Sequence, residues 1–196
     1  MDQYFLSLVF FAISMVASPG PANMLLLVAG SKFGLRKSVP FVIGIILSKQ
    51  FIIWPIGFGL LTFFEYFPNF LTFIKGISSL YIIWLAWKLA NFKIKANSEL
   101  VIAPSFFYGL PVHPTNPKAW VMISVSFTSY TDISQSTFYS TLLVAIVFFL
   151  VQLVFHNLWC YFGHQLKIKF QGTKFEVWMM RFLSLLMLGS LSLLFL

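Results

Sequence analysis

Two short stretches of this chain combine polar side chains with a backbone that cannot stay regular. The first is Ser18-Pro19-Gly20-Pro21-Ala22-Asn23, and the second runs Pro111-Val112-His113-Pro114-Thr115-Asn116-Pro117-Lys118-Ala119-Trp120. Each proline removes a backbone donor and crowds the preceding turn, and Gly20 relaxes what remains. A helix broken in this way frees N–H and C=O groups that lipid cannot satisfy. They must face protein, water or a solute, and a half-helix N-terminus offers partial positive charge to a carboxylate. With Asn23, His113, Asn116 and Lys118 at the same two places, the set suits reversible binding of a small zwitterion. Covalent chemistry would need His113 paired with Lys118 or Ser18 within hydrogen-bond reach and a path for water, and spacing alone establishes neither.

The elements that must carry these stretches are apolar helices. Of 196 residues 59% are hydrophobic and only 9% charged, with 25 Phe, against roughly 45–50% and about 25% in soluble domains. Apolar runs cover roughly 3–29, 39–64, 70–90, 105–130, 137–163 and 176–196, each long enough to span a bilayer. None alternates over the roughly ten residues of a barrel strand. The expected fold is all-α and integral to the membrane: one transmembrane domain over 1–196, with six helices. The N-terminus carries Asp2 and no basic region, so it reads as a first span rather than a cleavable signal.

Charge placement orients the helices. The first connection holds Lys32, Arg36 and Lys37, the third Lys88, Lys93, Lys95 and Glu99, and the fifth His164, Lys167, Lys169 and Lys174. The second and fourth hold Glu65 and Asp132 without Lys or Arg. Cytoplasmic loops collect Lys and Arg, so odd loops are expected inside and both termini outside. The net charge of +8 is then a topology signal and implies no nucleic-acid partner. Tyr66, Tyr130 and Tyr139 fall at outer span ends, and Trp87, Trp159, Tyr161 and Trp178 near inner ends, as interface belts require. Gly30 with Gly34, Gly44 with Ser48, and Gly57 with Gly59 are small residues suited to close helix contact.

Each break lies in the first helix of a three-helix half, about 1–95 and about 100–196. Halves with an odd number of spans have opposite orientation, and paired interruptions in an inverted repeat point to a transport site near the bilayer midplane.

At these breaks the chain resembles the LysE/RhtB family of bacterial amino-acid exporters. The resemblance rests on SPGPAN at 18–23, Gly30, Gly34 and Arg36 after it, and NPKAW at 116–120. GLLTFF at 59–64, Lys75-Gly76, and Tyr81 through WLAWK at 84–88 also fit the pattern. It implies a six-helix secondary exporter in the bacterial inner membrane, driven by the proton gradient. The WLAWK and NPKAW forms look closer to the branch for threonine, homoserine and cysteine-related solutes than to the lysine exporters. Ser48 stands where the family usually has Gly, and His113-Pro114-Thr115 replaces a more apolar approach to NPKA.

The expected substrate-binding and translocation residues are Ser18, Pro19, Gly20, Pro21, Asn23, His113, Asn116, Pro117 and Lys118. Lys118 lies about 13 residues into the fourth segment, roughly 20 Å along an ideal helix. An ammonium that deep costs at least about 2.5–3.5 kcal/mol unless received. Two readings follow: attraction of a substrate carboxylate, or capping of freed carbonyls. Lys49, in mid-span, and His156 are candidates for coupling or for lining a cavity, because imidazole titrates near neutrality and a mid-span ammonium needs a partner. Lys75 and Arg181 read as interface anchors. No carboxylate falls at mid-span, which favours a neutral amino acid and leaves no metal or cofactor site. Cys160 is the sole cysteine, so no disulfide is expected. Expected partners are an amino-acid-like solute, protons and lipid, with a homodimer as a candidate assembly. The competing classes are a non-transporting assembly or sensor subunit, and an intramembrane enzyme; the expectation is that the chain is not an enzyme.

Overall fold

The computed structural model describes residues 3–60, 68–94, 103–131 and 135–189, and every regular element there is helical. Glu65, Tyr66, Lys95, Glu99 and Asp132, with the Lys75 side chain and most of 59–64, lie outside the described residues. The chain runs α1 (Gln3–Ala17), α2 (Pro21–Phe33), α3 (Leu35–Ser48), α4 (Gln50–Pro55), a π-helical turn (Ile56–Leu60) and α5 (Pro68–Ala90). It continues through α6 (Phe106–Gly109), α7 (Pro117–Ser129), α8 (Thr137–Phe170) and α9 (Lys174–Gly189).

Leu35–Leu60 and Thr137–Phe170 are each long and apolar enough to cross a membrane, and α1 with α2 qualifies as a pair bent by 53°. The bend falls at Ser18–Gly20, where Pro21 restarts the helix at its first position with Gly20 as N-cap. The same grammar opens α7: Asn116 is the N-cap and Pro117 the first helical residue. Proline suits that position because its missing N–H would be unpaired there anyway.

Several boundaries differ from the sequence reading. The expected first connection is helical on both sides of Gly34, whose φ of 79° ends α2 and starts α3. The expected fifth connection is mostly helix, since α8 continues to Phe170 before a turn at Gly172 (φ 76°). At 34 residues α8 is about 51 Å long, so its end with His164, Lys167 and Lys169 overshoots a hydrocarbon core of about 30 Å. No Pro or Gly interrupts 164–171, and Lys, Gln and Leu propagate helix well. Helix two is also irregular: Lys49 sits between α3 and α4, and beyond Pro55 the chain loosens into the π turn.

α8 is the central strut. Its upper part joins α1, α4 and α7 in a cluster around Leu8, Ile53, Ile123 and Phe148, and its lower part meets α2, α5 and α9 around Leu27, Ile82, Leu166 and Met180. Glycine sets two crossings. A Cβ on Gly30 would overlap the Cys160 carbonyl, and one on Gly163 the Leu27 carbonyl, so α2 and α8 touch backbone to backbone. Gly44 and Gly109 do the same for α3 and α6. Gly34 and Gly59, paired with Gly30 and Gly57 in the sequence reading, instead hold positive φ at helix irregularities. Phe10, Leu80, Trp87, Phe107, Ile168 and Leu185 project outward, at least 60% exposed to whatever surrounds the bundle.

Candidate functional site

The first break leaves the C-terminal carbonyls of α1 without intrahelical donors, and each finds another. Asn23 Nδ2 donates to Val16 O and to Ser18 O, both at 2.8 Å. Trp159 Nε1 donates to Ala17 O at 3.2 Å. Lys118 Nζ donates to Ser18 O at 3.3 Å, Pro19 O at 3.2 Å and Ser18 Oγ at 2.7 Å. The Ser18 hydroxyl in turn donates to Met15 O at 2.9 Å. A cation at the negative end of α1 is favourable, and the three N–H groups of an ammonium are matched to three oxygens.

Lys118 thus caps the freed carbonyls, the second of the two readings its position offered. It is also the strut between the two breaks. A Cβ on Gly20 would lie 3.1 Å from Lys118 Cδ and 3.3 Å from its Nζ, so a side chain there would press on the strut. The depth expected for Lys118 changes as well: residues 110–115 are turns, and Lys118 is the second residue of α7, 6% exposed.

The second break is closed by its own turns. Thr115 N bonds Pro111 O at 3.0 Å and Asn116 N bonds His113 O at 2.9 Å. Asn116 Oδ1 accepts from Lys118 N at 3.1 Å, and Trp120 Nε1 donates to Pro114 O at 2.9 Å. Ser48 ties this segment to helix two, its Oγ accepting from His113 N at 3.4 Å.

Around these contacts the two breaks enclose a cavity of about 20 Å³, room for roughly one water. Gly20, Asn23, Lys49, His113, Asn116, Lys118 and His156 line it with apolar side chains of α1, α2 and α7, and none of its lining residues is acidic. Ser18 and Pro19 reach it through Lys118, and Pro21 and Pro117 start the helices that bound it. No side chain caps the N-terminus of α2.

Lys49 is 1% exposed, and its ammonium meets only Met122 Sδ at 3.9 Å and the Phe148 ring, 4.9 Å from its centroid. The His113 and His156 rings stack with centroids 5.6 Å apart and planes at 25°. Gln152 Nε2 lies 2.9 Å from His113 Nε2. Among the described residues five buried polar atoms have no partner: Asn23 Oδ1, His113 Nδ1, Gln152 Oε1 and His156 Nδ1 at this site, and His164 Nδ1 outside it.

Sequence reading missed two contributors. Gln152 is a polar residue inside an apolar run four positions before His156, hence on the same helix face, a readable signal. Trp159 was expected at the inner interface; its indole instead reaches the first break, and nothing in the sequence gives the rotation of α8 that turns it inward.

A larger cleft, about 350 Å³, lies on the other side of the 111–115 turn. Leu25, Val28, Phe41, Tyr81 and Tyr108 line it with Val112 and Thr115, whereas His113 and Asn116 face the small cavity. One turn of chain separates the two.

A family model described as LysE type translocator matches residues 13–195. The cysteine/O-acetylserine efflux protein of Klebsiella pneumoniae subsp. pneumoniae is 33% identical over 103 residues. That match covers 52% of this chain and 52% of the efflux protein, so the chain spans about half the length of the curated relative it matches. No solved structure matches.

Proposed function

The chain belongs to the LysE family of translocators, and from that membership we propose that it is a secondary exporter of small neutral amino acids or their derivatives. The observation that carries this reading is the cavity where the two breaks meet: two lysines line it and no acid does. Such a site attracts a carboxylate, to which the uncapped α2 N-terminus offers further N–H groups. It has nothing to neutralise a cationic side chain. Cysteine, O-acetylserine, threonine and homoserine are the favoured solutes, and the similarity to a cysteine/O-acetylserine efflux protein supports the first two.

The architecture proposed with this function is six crossings in two inverted halves, in the inner membrane, with both termini outside. Three helix pairings support it. Helix one meets helix five through α2 and α8, helix two meets helix four through α3 and α6, and helix three meets helix six through α5 and α9. Exchanging the halves maps this pattern onto itself. The small cavity is then an occluded state, and the cleft bordered by Phe41 and Tyr108, near the basic loops, is the route from the cytoplasm. Moving the 111–115 turn joins the two. Proton drive is part of the proposal, supported by Lys49, His113 and His156 beside the solute site; a second copy of the chain is its candidate partner.

Ser18 and Lys118 lie within the reach of a nucleophile–base pair, the geometry an intramembrane enzyme needs. The single hydroxyl hydrogen of Ser18 already goes to Met15 O, however, so Lys118 donates to Ser18 Oγ and acts as an ammonium, not a base. A sensor or assembly role predicts no solute flux.

The test is efflux from cells loaded with dipeptides of cysteine, threonine and lysine, with Asn116→Ala and Lys118→Ala alongside. Saturable cysteine or threonine efflux, lost in both variants, is the expected result. Saturable lysine efflux would overturn the neutral-substrate reading, and unchanged efflux in both variants would remove the site.

A further inference from the structure

We propose that Lys49 is the proton carrier of the transport cycle, its ammonium competing with the solute's own ammonium for one set of acceptors. This rests on the exporter reading and names the group that couples it to protons.

The geometry separates the two cavity lysines. Lys118 has three oxygen acceptors and a permanent structural task. Lys49 has none: a thioether sulfur and a ring face are its partners at 1% exposure. Both are weak receivers for a group with three strong donors. Lys49 therefore has no bond that fixes it as an ammonium, and as an amine it leaves one lone pair to accept with. Beside it, Asn23 Oδ1 is an unused acceptor, because both Nδ2 hydrogens are spent on Val16 O and Ser18 O. The buried Nδ1 atoms of His113 and His156 and the Gln152 amide oxygen are also unpaired. Buried polar atoms left without partners need a bound group or water to satisfy them. The titratable groups facing Lys49 are Lys118 from α7, His113 from the 111–115 turn and His156 from α8, while α1 faces the cavity with Met15 and Val16. All three are bases, so a second positive charge entering the cavity meets no compensating carboxylate.

The cycle follows by charge balance. Loading from the cytoplasm, the solute's carboxylate settles on the uncapped α2 N-terminus. Its ammonium donates to Asn23 Oδ1 and to Lys49, which gives its proton to cytoplasmic water and accepts through its lone pair. Outside, the solute leaves and Lys49 takes a proton from external water. One proton enters for each zwitterion exported, and one positive charge moves inward.

The experiment uses the full chain reconstituted in liposomes, with radiolabelled O-acetyl-L-serine and L-threonine near neutral pH. Wild type should show counterflow and accumulation driven by a pH gradient, faster when a potassium diffusion potential drives positive charge toward the cytoplasmic side. K49Q should lose gradient-driven accumulation, and whatever solute binding it retains should no longer depend on pH. In wild type the apparent affinity should weaken up to about tenfold for each unit of pH lowered, as competition for one proton requires. Gradient-driven accumulation by K49Q overturns this proposal alone. Absence of wild-type counterflow with either probe overturns the exporter reading and this proposal with it. If K49Q does not fold, proton release decides on wild type: a dye in weak buffer should record about one proton per solute bound, and none overturns the assignment.

Discussion

Lys118 Nζ donates to Ser18 Oγ at 2.7 Å, joining two positions 100 residues apart in the chain. The same nitrogen holds the Ser18 and Pro19 carbonyls, so one side chain closes the end of α1 and docks the start of α7 against it. Lys118→Met removes the side-chain donor to Pro19 O. An unsatisfied buried carbonyl costs about 1–3 kcal/mol, and a markedly lower melting temperature in detergent is the expected outcome. Ser18→Ala removes both hydroxyl bonds, from Lys118 Nζ and to Met15 O, and leaves the two carbonyl bonds of Lys118, so a smaller loss of about 1 kcal/mol is expected. Equal melting of wild type and Lys118→Met would mean that the ammonium is not the strut.

The backbone contact of α2 with α8 makes a second prediction. Gly30→Ala places a methyl on the Cys160 carbonyl, and Gly163→Ala places one on the Leu27 carbonyl. Neither neighbour is a flexible side chain, so the helices must separate, at about 1–3 kcal/mol for an overpacked contact. Cys160 is fully buried at this crossing and reports on it directly. Maleimide labelling should be slow in wild type and several-fold faster in Gly30→Ala, with Gly189→Ala as control because nothing lies within 4 Å of it. Unchanged labelling in Gly30→Ala would show that the crossing is looser than drawn.

Legibility in the sequence followed the kind of force involved. Both breaks were readable because Pro19, Pro21 and Pro117 act on their own backbone, whatever the surroundings. The extension of α8 past Gly163 was not readable by hydropathy: His164, Lys167 and Lys169 are polar, yet nothing among them stops a helix before Gly172. Which partner takes the freed carbonyls depended on rotation. Trp159 and Gln152 face inward only because α8 is seated by Gly30 and Gly163, a contact that composition does not encode. Lys49 was visible as a mid-span charge, but its lack of oxygen partners could be known only from packing.

Topology supplies a third prediction. With Cys160 replaced by Ser, single cysteines introduced at Asn97, Asp132 and Lys174 should divide between the two sides of the membrane. Asn97 and Lys174 lie in the basic odd-numbered connections and should react only after the inner face is exposed. Asp132 lies in the fourth connection and should react with an impermeant maleimide on intact spheroplasts. Labelling of all three from one side would dismantle the inverted halves.

Glu176, 2% exposed, is the buried acid among the described residues, and it does not line the solute cavity. In the first turn of α9 its Oε1 accepts from Ile94 N at 2.6 Å and its Oε2 from Gly172 N at 2.7 Å. Gln171 Nε2 completes the clamp by donating to Ile94 O at 3.2 Å. The side chain therefore ties the segment after α5 to the turn between α8 and α9, and its charge is well placed at a helix N-terminus. Glu176→Ala takes the acceptor from the buried Ile94 N–H and from the part-buried Gly172 N–H. About 1–3 kcal/mol is expected, with faster proteolysis of the 91–104 connection in reconstituted protein. Glu176→Gln keeps one acceptor and should fall between alanine and wild type. Because this clamp does not touch the cavity, solute affinity in the surviving folded fraction should be unchanged. A lower affinity in Glu176→Gln would mean that the clamp and the solute site are coupled.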